Sequence, residues 1–414
     1  MNVLSLFDGM SCGQQALERA GIKVDNYYAS EIDKYAIKVT MANYPNTIQL
    51  GSVTQVDGYS LPKIDLLIGG SPCQSFSFAG KRKGMSTKDE QEILTLEHYL
   101  QLKAEDYEFE GQSYLFWEYM RLLNEVKPTY FLLENVMMGE KWEKVLTKAI
   151  GVKPIMINSA LVSAQNRQRL YWTNIGMQPS GLFGDLESII EQPKDRGILL
   201  KDILQNDVDG RYYLSKKVTS RFQEYKGSSN IVGTTAPDFR TIGQRDEVYG
   251  EFGKMGCLNA TDYKQPKQIL IDTFNNKRLN KTIEKHKDSL EDGTMLDSYN
   301  QSIHKDKSIT ISTRVNASNS THIVHSLFSR TSTNGNGGSG HLSKDGDKSY
   351  CLDTANSMAI ENNQRIRRLT PIECERLQTV ADNYTNYVSD SQRYKMLGNG
   401  WTIDVIAHIF SYLP

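Results

Sequence analysis

Along residues 1–177, short apolar runs alternate with amphipathic stretches. Residues 3–7, 27–30, 47–50, 64–68, 130–133, 154–157 and 170–173 have the length and apolar content of buried strands. Between them, helical spacing of apolar positions covers residues 14–20, 33–43, 115–125 and 141–150, and Gly21 stops the first of these. Strand–helix alternation of this kind predicts an α/β fold built on a doubly wound, mostly parallel sheet. The predicted order also brings Gly9, Glu31, Cys73 and Glu134 to strand ends along one edge, where open α/β sheets carry their chemistry.

The pattern changes after residue 177. Residues 178–362 are polar, rich in Asn, Ser, Thr and Lys, with short alternating segments and a flexible Gly/Asn/Ser run at 334–340. Residues 254–260, 307–313 and 348–354 echo one another, each a Lys followed by a Cys or Thr, an aliphatic and small polar residues; three related hairpins and coincidence are both open readings. Residues 363–414 return to a folded pattern. Thr370 is an N-cap candidate, Pro371 takes the first helical position and Glu373 completes a capping box. A closing amphipathic helix is predicted over residues 403–413. Three segments follow: 1–177, a smaller irregular β-rich domain over 178–362, and 363–414 returning to the first.

With 414 residues, 39% of them hydrophobic, the chain supports one large core and a second, smaller domain. A net charge of −1 gives no global basic signature, so any nucleic-acid surface must be local. The five cysteines are scattered and never in CxxC spacing, which argues against a zinc site or disulfide framework and for a reducing interior. Residues 1–8 show no basic leader and no apolar run long enough for a signal peptide or membrane span, so a cytoplasmic location is expected.

Cys73 follows Gly69-Gly70-Ser71-Pro72, where small residues and a fixed backbone leave room for a substrate beside the thiol. A structural cysteine in a turn is the competing reading. Residues 8–13 form a glycine turn between strand and helix that is neither a Walker loop nor GxGxxG. Glu31 stands about 20 positions beyond that turn, where a ribose-binding carboxylate belongs, although a solvated acid at a helix start fits equally. The polar passage between Cys73 and residue 115 reads as a functional lid or a disordered loop, and its basic triplet Lys81, Arg82 and Lys83 fits a lid that closes over a polyanion or a solvated surface.

Together these stretches resemble the cytosine-C5 DNA methyltransferase family of bacterial and phage restriction-modification systems. The resemblance rests on Phe7 to Gly13, Ser71-Pro72-Cys73-Gln74, Glu134-Asn135-Val136, Gln165-Asn166-Arg167-Gln168-Arg169, the stretch Arg368 to Cys374, and Gly398-Asn399, in the family's order. It covers residues 1–177 and 364–414; the middle matches the family's variable target-recognition region in position only. Two departures stand out: Ser52 occupies the place of the family's usual Asp, and Trp401 follows the closing motif where many members carry an aliphatic residue.

The resemblance implies a Rossmann-like domain that binds S-adenosyl-L-methionine and methylates carbon 5 of a cytosine flipped out of double-stranded DNA. Cys73 would add to carbon 6, turning the ring into a nucleophile; Glu134 would share a proton with ring nitrogen 3, and Arg167 would favour the Cys73 thiolate. Cofactor contacts are implied for Phe7, Asp8, Gly9, Cys12, Gly13, Glu31, Ile32, Ser52, Val53, Pro72, Leu115, Asn399 and Gly400. DNA contacts are implied for Gln74, Ser75, Ser77, Lys81, Arg82, Lys83 and Arg169, with base reading left to residues 178–362. No metal is expected. A monomer is expected, with a cognate restriction endonuclease as a possible partner. The competing functions are a transfer-RNA cytosine methyltransferase, disfavoured by the long middle region, a catalytically silent DNA-binding homologue, and a nicotinamide-dependent dehydrogenase.

Overall fold

A computed structural model describes residues 1–72, 85–180, 185–215, 230–236, 246–271 and 365–414, with Gly243 and short strands at 223–224, 295–297, 302–304, 324–326 and 358–360. Two compact units are distinguished, residues 1–269 with 366–414, and residues 270–365.

The first unit is built on a seven-stranded sheet. Its strands are β1 (Asn2–Leu6), β2 (Asn26–Ser30), β3 (Ile48–Gln49), β4 (Leu66–Gly70), β5 (Tyr130–Val136), β6 (Ile155–Asn158) and β7 (Gln168–Thr173), in the order β3-β2-β1-β4-β5-β7-β6. All neighbours pair in parallel except β7, which runs antiparallel to both β5 and β6. The chain order reverses between β1 and β4, which opens a crevice at their carboxyl ends. Val3, Leu4, Leu6, Leu66, Leu67 and Ile68 are buried, which explains why these strands read as continuous apolar runs.

The helices are α1 (Cys12–Arg19), α2 (Lys34–Asn43), α3 (Leu96–Ala104), α4 (Phe116–Val126), α5 (Glu140–Ile150), α6 (Pro371–Leu377), α7 (Asp390–Asn399) and α8 (Ile403–Phe410). Helix α4 buries Phe116, Trp117, Tyr119 and Leu122 in the core cluster beside Leu4, Leu67 and Trp172. Each such side chain contributes about 1.5–3 kcal/mol by leaving water. A Cβ on Gly69 would lie 3.1 Å from both the Leu6 carbonyl oxygen and the Tyr119 ring, so glycine there lets α4 close on the sheet.

Helix α3 corrects the reading of residues 73–115 as one long loop. Thr95 caps it, its hydroxyl accepting from the His98 N–H at 3.2 Å, and Tyr99 and Leu102 are buried. Tyr99 and Lys103 both donate to Glu118 at 2.5 Å, joining α3 to α4. The first of the three echoed segments is not a hairpin either: Met255–Gly256 pairs in parallel with Gln165–Asn166, and a 3-10 turn follows at Ala260–Tyr263. The other two lie outside the described residues, as does the 334–340 run.

Residues 366–414 pack as part of the first unit, α8 lying on α1, where Arg19 pairs with Asp404. The capping box at Thr370 and Glu373 forms as the pattern predicts. Glu373 is fully buried and accepts 2.7 Å bonds from both terminal nitrogens of Arg367. In the second unit Met295–Asp297 pairs with Ser302–His304, and Val324–Ser326 with Met358–Ile360, both antiparallel.

Candidate active site

Between β1 and α1 the backbone takes left-handed conformations at Phe7 (φ 57°), Gly9 (φ 59°) and Ser11 (φ 62°). For Phe7 and Ser11 that conformation costs about 1–2 kcal/mol each, a strain that clusters at ligand sites. A Cβ at Gly13 would run into Ile68 and the Tyr27 hydroxyl, so α1 can start this close to β2 and β4 only with glycine there. Asp8 is buried; its Oδ1 accepts from the Tyr27 hydroxyl at 2.8 Å, while Oδ2 has no partner among the described residues. Burial, with a smaller push from Glu31, raises its pKa to about 6 against the hydrogen bonds that oppose the shift.

Glu31 follows β2 directly and turns back to this loop. Its Oε2 accepts the Gly9 N–H at 2.8 Å, and its Oε1 accepts those of Ile32 (2.7 Å) and Asp33 (2.8 Å). Ile32 beside it is 72% exposed, an uncovered apolar face next to a carboxylate. Ser52 caps the 3-10 turn Val53–Gln55, and its hydroxyl is 2.8 Å from that of Thr54. Val53 is buried, and Leu115 sits at the junction leading into α4. Asn399 ends α7 with its side chain exposed. A Cβ on Gly400 would come 2.9 Å from Met10 Cε and 3.3 Å from Cys12 Sγ, so the closing motif lies directly against the first loop. Cys12 is buried, its thiol pushed up to about 12 by burial, and its sulfur approaches the Trp401 carbonyl oxygen at 3.9 Å.

Next to this cradle, parallel register sets Glu134 opposite Gly70, and antiparallel register sets it opposite Tyr171. The carboxylate is gripped from two sides: Arg169 Nε donates to Oε1 at 2.9 Å and the Trp401 indole N–H to Oε2 at 3.2 Å. Gly70 makes this possible, because a Cβ there would lie 2.9 Å from Trp401 Nε1 and 3.1 Å from Glu134 Oε2. Asn135 is buried and its amide donates to the Ser71 hydroxyl at 3.0 Å, fastening the end of β5 to the residues preceding Cys73.

Arg167 is buried and donates to the carbonyl oxygens of Leu258 (3.2 Å), Gly398 (3.4 Å) and Gly400 (2.8 Å), and to Cys257 Sγ at 3.1 Å. It thus clamps the Gln165–Asn166 segment to residues 257–258 and to the closing motif. Ser71 and the half-buried Pro72 are the last described residues before the expected nucleophile. Cys73, Gln74, Ser75, Ser77, Lys81, Arg82 and Lys83 lie outside the described residues. Arg169, expected at the DNA, is found on Glu134. Two partners did not enter the sequence-based site: Trp401 on Glu134, visible only as an oddity of its motif, and Cys257 on Arg167, whose place 90 residues away no local pattern reveals.

The residues of the first loop fit an adenosyl cofactor. Asp8 offers a buried carboxylate oxygen without a partner among the described residues, and Ile32 presents an open apolar face beside Glu31. Among the described residues no group of three or more His, Cys, Asp or Glu is arranged to hold a metal, and no helix is long and apolar enough to cross a membrane.

The family model for C-5 cytosine-specific DNA methylase matches residues 1–413. Among curated relatives, an orphan methyltransferase, M.SPRI of Bacillus phage SPR, is 27% identical over 468 aligned positions, covering 100% of this chain and 97% of its own. A type II methyltransferase, M.HgiCI of Herpetosiphon aurantiacus, is 27% identical over 437 positions, covering 96% and 93%. Two solved structures share the fold: the Entamoeba histolytica methyltransferase EhMeth (TM-score 0.55, 13% identity, 100% and 97% coverage) and a Spodoptera frugiperda DNMT2 (TM-score 0.53, 15% identity, 100% and 99% coverage). The Rossmann-like sheet is thus the fold these methyltransferases share, and the chain belongs to the C-5 cytosine-specific DNA methylase family.

Proposed function

We propose that this chain methylates carbon 5 of a cytosine flipped out of a specific duplex DNA site, with Cys73 as covalent nucleophile and S-adenosyl-L-methionine as methyl donor. The observation that carries the proposal is the Glu134 cluster: an acid fixed at the end of β5 by Arg169 and Trp401, with its neighbour Asn135 bonded to Ser71, two residues before Cys73. The thiolate of Cys73 adds to carbon 6 of the ring while Glu134 supplies a proton at nitrogen 3, and carbon 5 becomes nucleophilic. The cofactor supplies an electrophilic methyl group on its sulfonium. Loss of the carbon 5 proton and expulsion of the Cys73 thiolate then release the product. The first loop (Phe7, Asp8, Gly9, Cys12, Gly13), Glu31, Ile32, Ser52, Val53, Pro72, Leu115, Asn399 and Gly400 hold the cofactor.

Gln74, Ser75, Lys81, Arg82 and Lys83 contact phosphates, the segment from Phe76 to about Gly84, Ser77 included, fills the gap left by the flipped base, and residues 178–362 read the sequence. A monomer working in the cytoplasm on the host's or a phage's own DNA fits this reading, and the orphan and type II names of the relatives agree with a protective or restriction-linked role.

The test is methyl transfer from radiolabelled S-adenosyl-L-methionine to unmethylated bacterial DNA, followed by sequencing that resolves 5-methylcytosine. Incorporation confined to one motif, lost in Cys73→Ser and reduced at least ~100-fold in Glu134→Gln, is expected. Incorporation into transfer RNA but not DNA would overturn the choice of substrate, and full activity in Cys73→Ser would overturn the mechanism.

A further inference from the structure

The turn that carries Ser52 and Val53 is held by α4. Arg121, a largely buried residue of that helix, donates from Nη2 to the Val53 carbonyl oxygen at 3.0 Å, from Nε to Glu118 Oε2 at 2.7 Å, and from Nη1 to both oxygens of Glu125 at 2.8 and 2.9 Å. One guanidinium thus reaches three residues in fixed directions, which its planar fork allows and an ammonium does not. Glu125 extends the hold, its Oε2 accepting the Gly58 N–H at 2.9 Å. Glu118 is fully buried and also accepts from Tyr99 and Lys103 of α3, and Lys103 Nζ lies 3.5 Å from the Thr54 carbonyl oxygen. Two cations face two carboxylates, so the charges balance within the cluster. Inside the turn the Ser52 hydroxyl is engaged by Thr54, 2.8 Å from its hydroxyl and 3.4 Å from its N–H. With that side chain bonded inward, what the turn offers a ligand depends on where its backbone stands.

Resting on the reading that Ser52 and Val53 hold the cofactor, we infer that Arg121 is a positioning residue for S-adenosyl-L-methionine: it fixes the Val53 carbonyl, and with it the turn assigned to the cofactor. Arg121 acts through that turn and not on the reacting atoms. A lysine in its place keeps the charge that Glu118 and Glu125 require but cannot hold all three acceptors at once. The turn then stands in several positions, and cofactor binding is weakened while methyl transfer from the bound cofactor is not.

The experiment is steady-state kinetics and titration calorimetry on the full chain with Arg121→Lys, Lys103→Met and Lys103→Arg, each checked by thermal melting. Arg121→Lys is expected to raise KM for S-adenosyl-L-methionine about tenfold, the scale of one lost bond from a charged group, with kcat at saturating cofactor and Kd for DNA within about twofold of the parent. A second measurement needs no turnover: Kd for S-adenosyl-L-homocysteine, which shares the adenosyl group but has no methyl to give, should rise by the same factor. Lys103→Met leaves Glu118 with Arg121 and Tyr99 and should raise both constants about threefold, and Lys103→Arg should return them to the parental values. A merely structural role would lower the melting temperature and kcat and leave KM and Kd unchanged, and that result overturns the inference. So does a rise in KM without a rise in Kd for S-adenosyl-L-homocysteine. If Arg121→Lys does not fold, parental constants in Lys103→Met overturn it. A parent that binds no S-adenosyl-L-homocysteine would instead overturn the underlying reading of the cofactor site.

Discussion

At the scale of single residues, the buried carboxylates carry the clearest consequences. Asp8 has a folded pKa of about 6 against 3.8 for the free group, so the folded protein prefers it protonated. Its contribution to stability is therefore fully present below about pH 4 and is lost as pH rises through 6. Asp8→Asn should melt above the parent at pH 8, by an amount equivalent to at most ~3 kcal/mol, and match it near pH 4; equal melting at both values would show that the carboxylate is not stressed. A cofactor with a positive centre beside Asp8 would relieve the same stress, so the advantage of the variant should shrink as S-adenosyl-L-methionine is added. Trp401→Phe removes the indole donor from Glu134 while keeping the ring, and a fall of about tenfold in kcat is expected in the methyl-transfer assay. Glu134 could be picked out of the sequence as an acid on a strand because it closes an apolar run, and β5 carries it there. Its partners could not, because Arg169 and Trp401 meet it only through sheet register and the return of residues 398–401.

Among the elements, the strands were the most legible. Buried parallel strands such as β1 and β4 are apolar on both faces, so their sequence signal survives without knowledge of neighbours. Helix α3 was not legible: only Tyr99 and Leu102 of its nine residues are buried, and the bonds that place it run from Tyr99 and Lys103 to Glu118 on α4. The capping box of α6 was legible, but not the extra work done by its acid. Glu373 also accepts from the backbone N–H of Gln205 at 2.8 Å, so one carboxylate caps α6, neutralises Arg367 and anchors a distant loop. Glu373→Ala should cost ~3–5 kcal/mol in denaturant unfolding, because Arg367 stays buried without its counter-charge. Thr370→Ala removes one cap alone, and about 1 kcal/mol is expected.

For the molecule as a whole, a net charge of −1 sets the terms on which it meets DNA. With no overall attraction, affinity must come from a local patch, and Lys81, Arg82 and Lys83 are its proposed core. Replacing all three by alanine should reduce the slope of log affinity against log salt by up to about 3 and weaken cognate and non-cognate DNA alike, as fluorescence anisotropy across a salt series would show. A slope left unchanged would place the phosphate contacts elsewhere.

The clamp made by Arg167 also bears on when the protein becomes active. Its acceptor at Leu258 lies 91 residues further along the chain and those at Gly398 and Gly400 lie 231 and 233 further, so these two leave the ribosome well after Arg167 itself. Until then Glu134 lacks Trp401 and the first loop lacks the glycine that seals it. A nascent chain can therefore pair all seven strands of its sheet, the last of which ends at Thr173, long before residues 398–401 arrive to close the site.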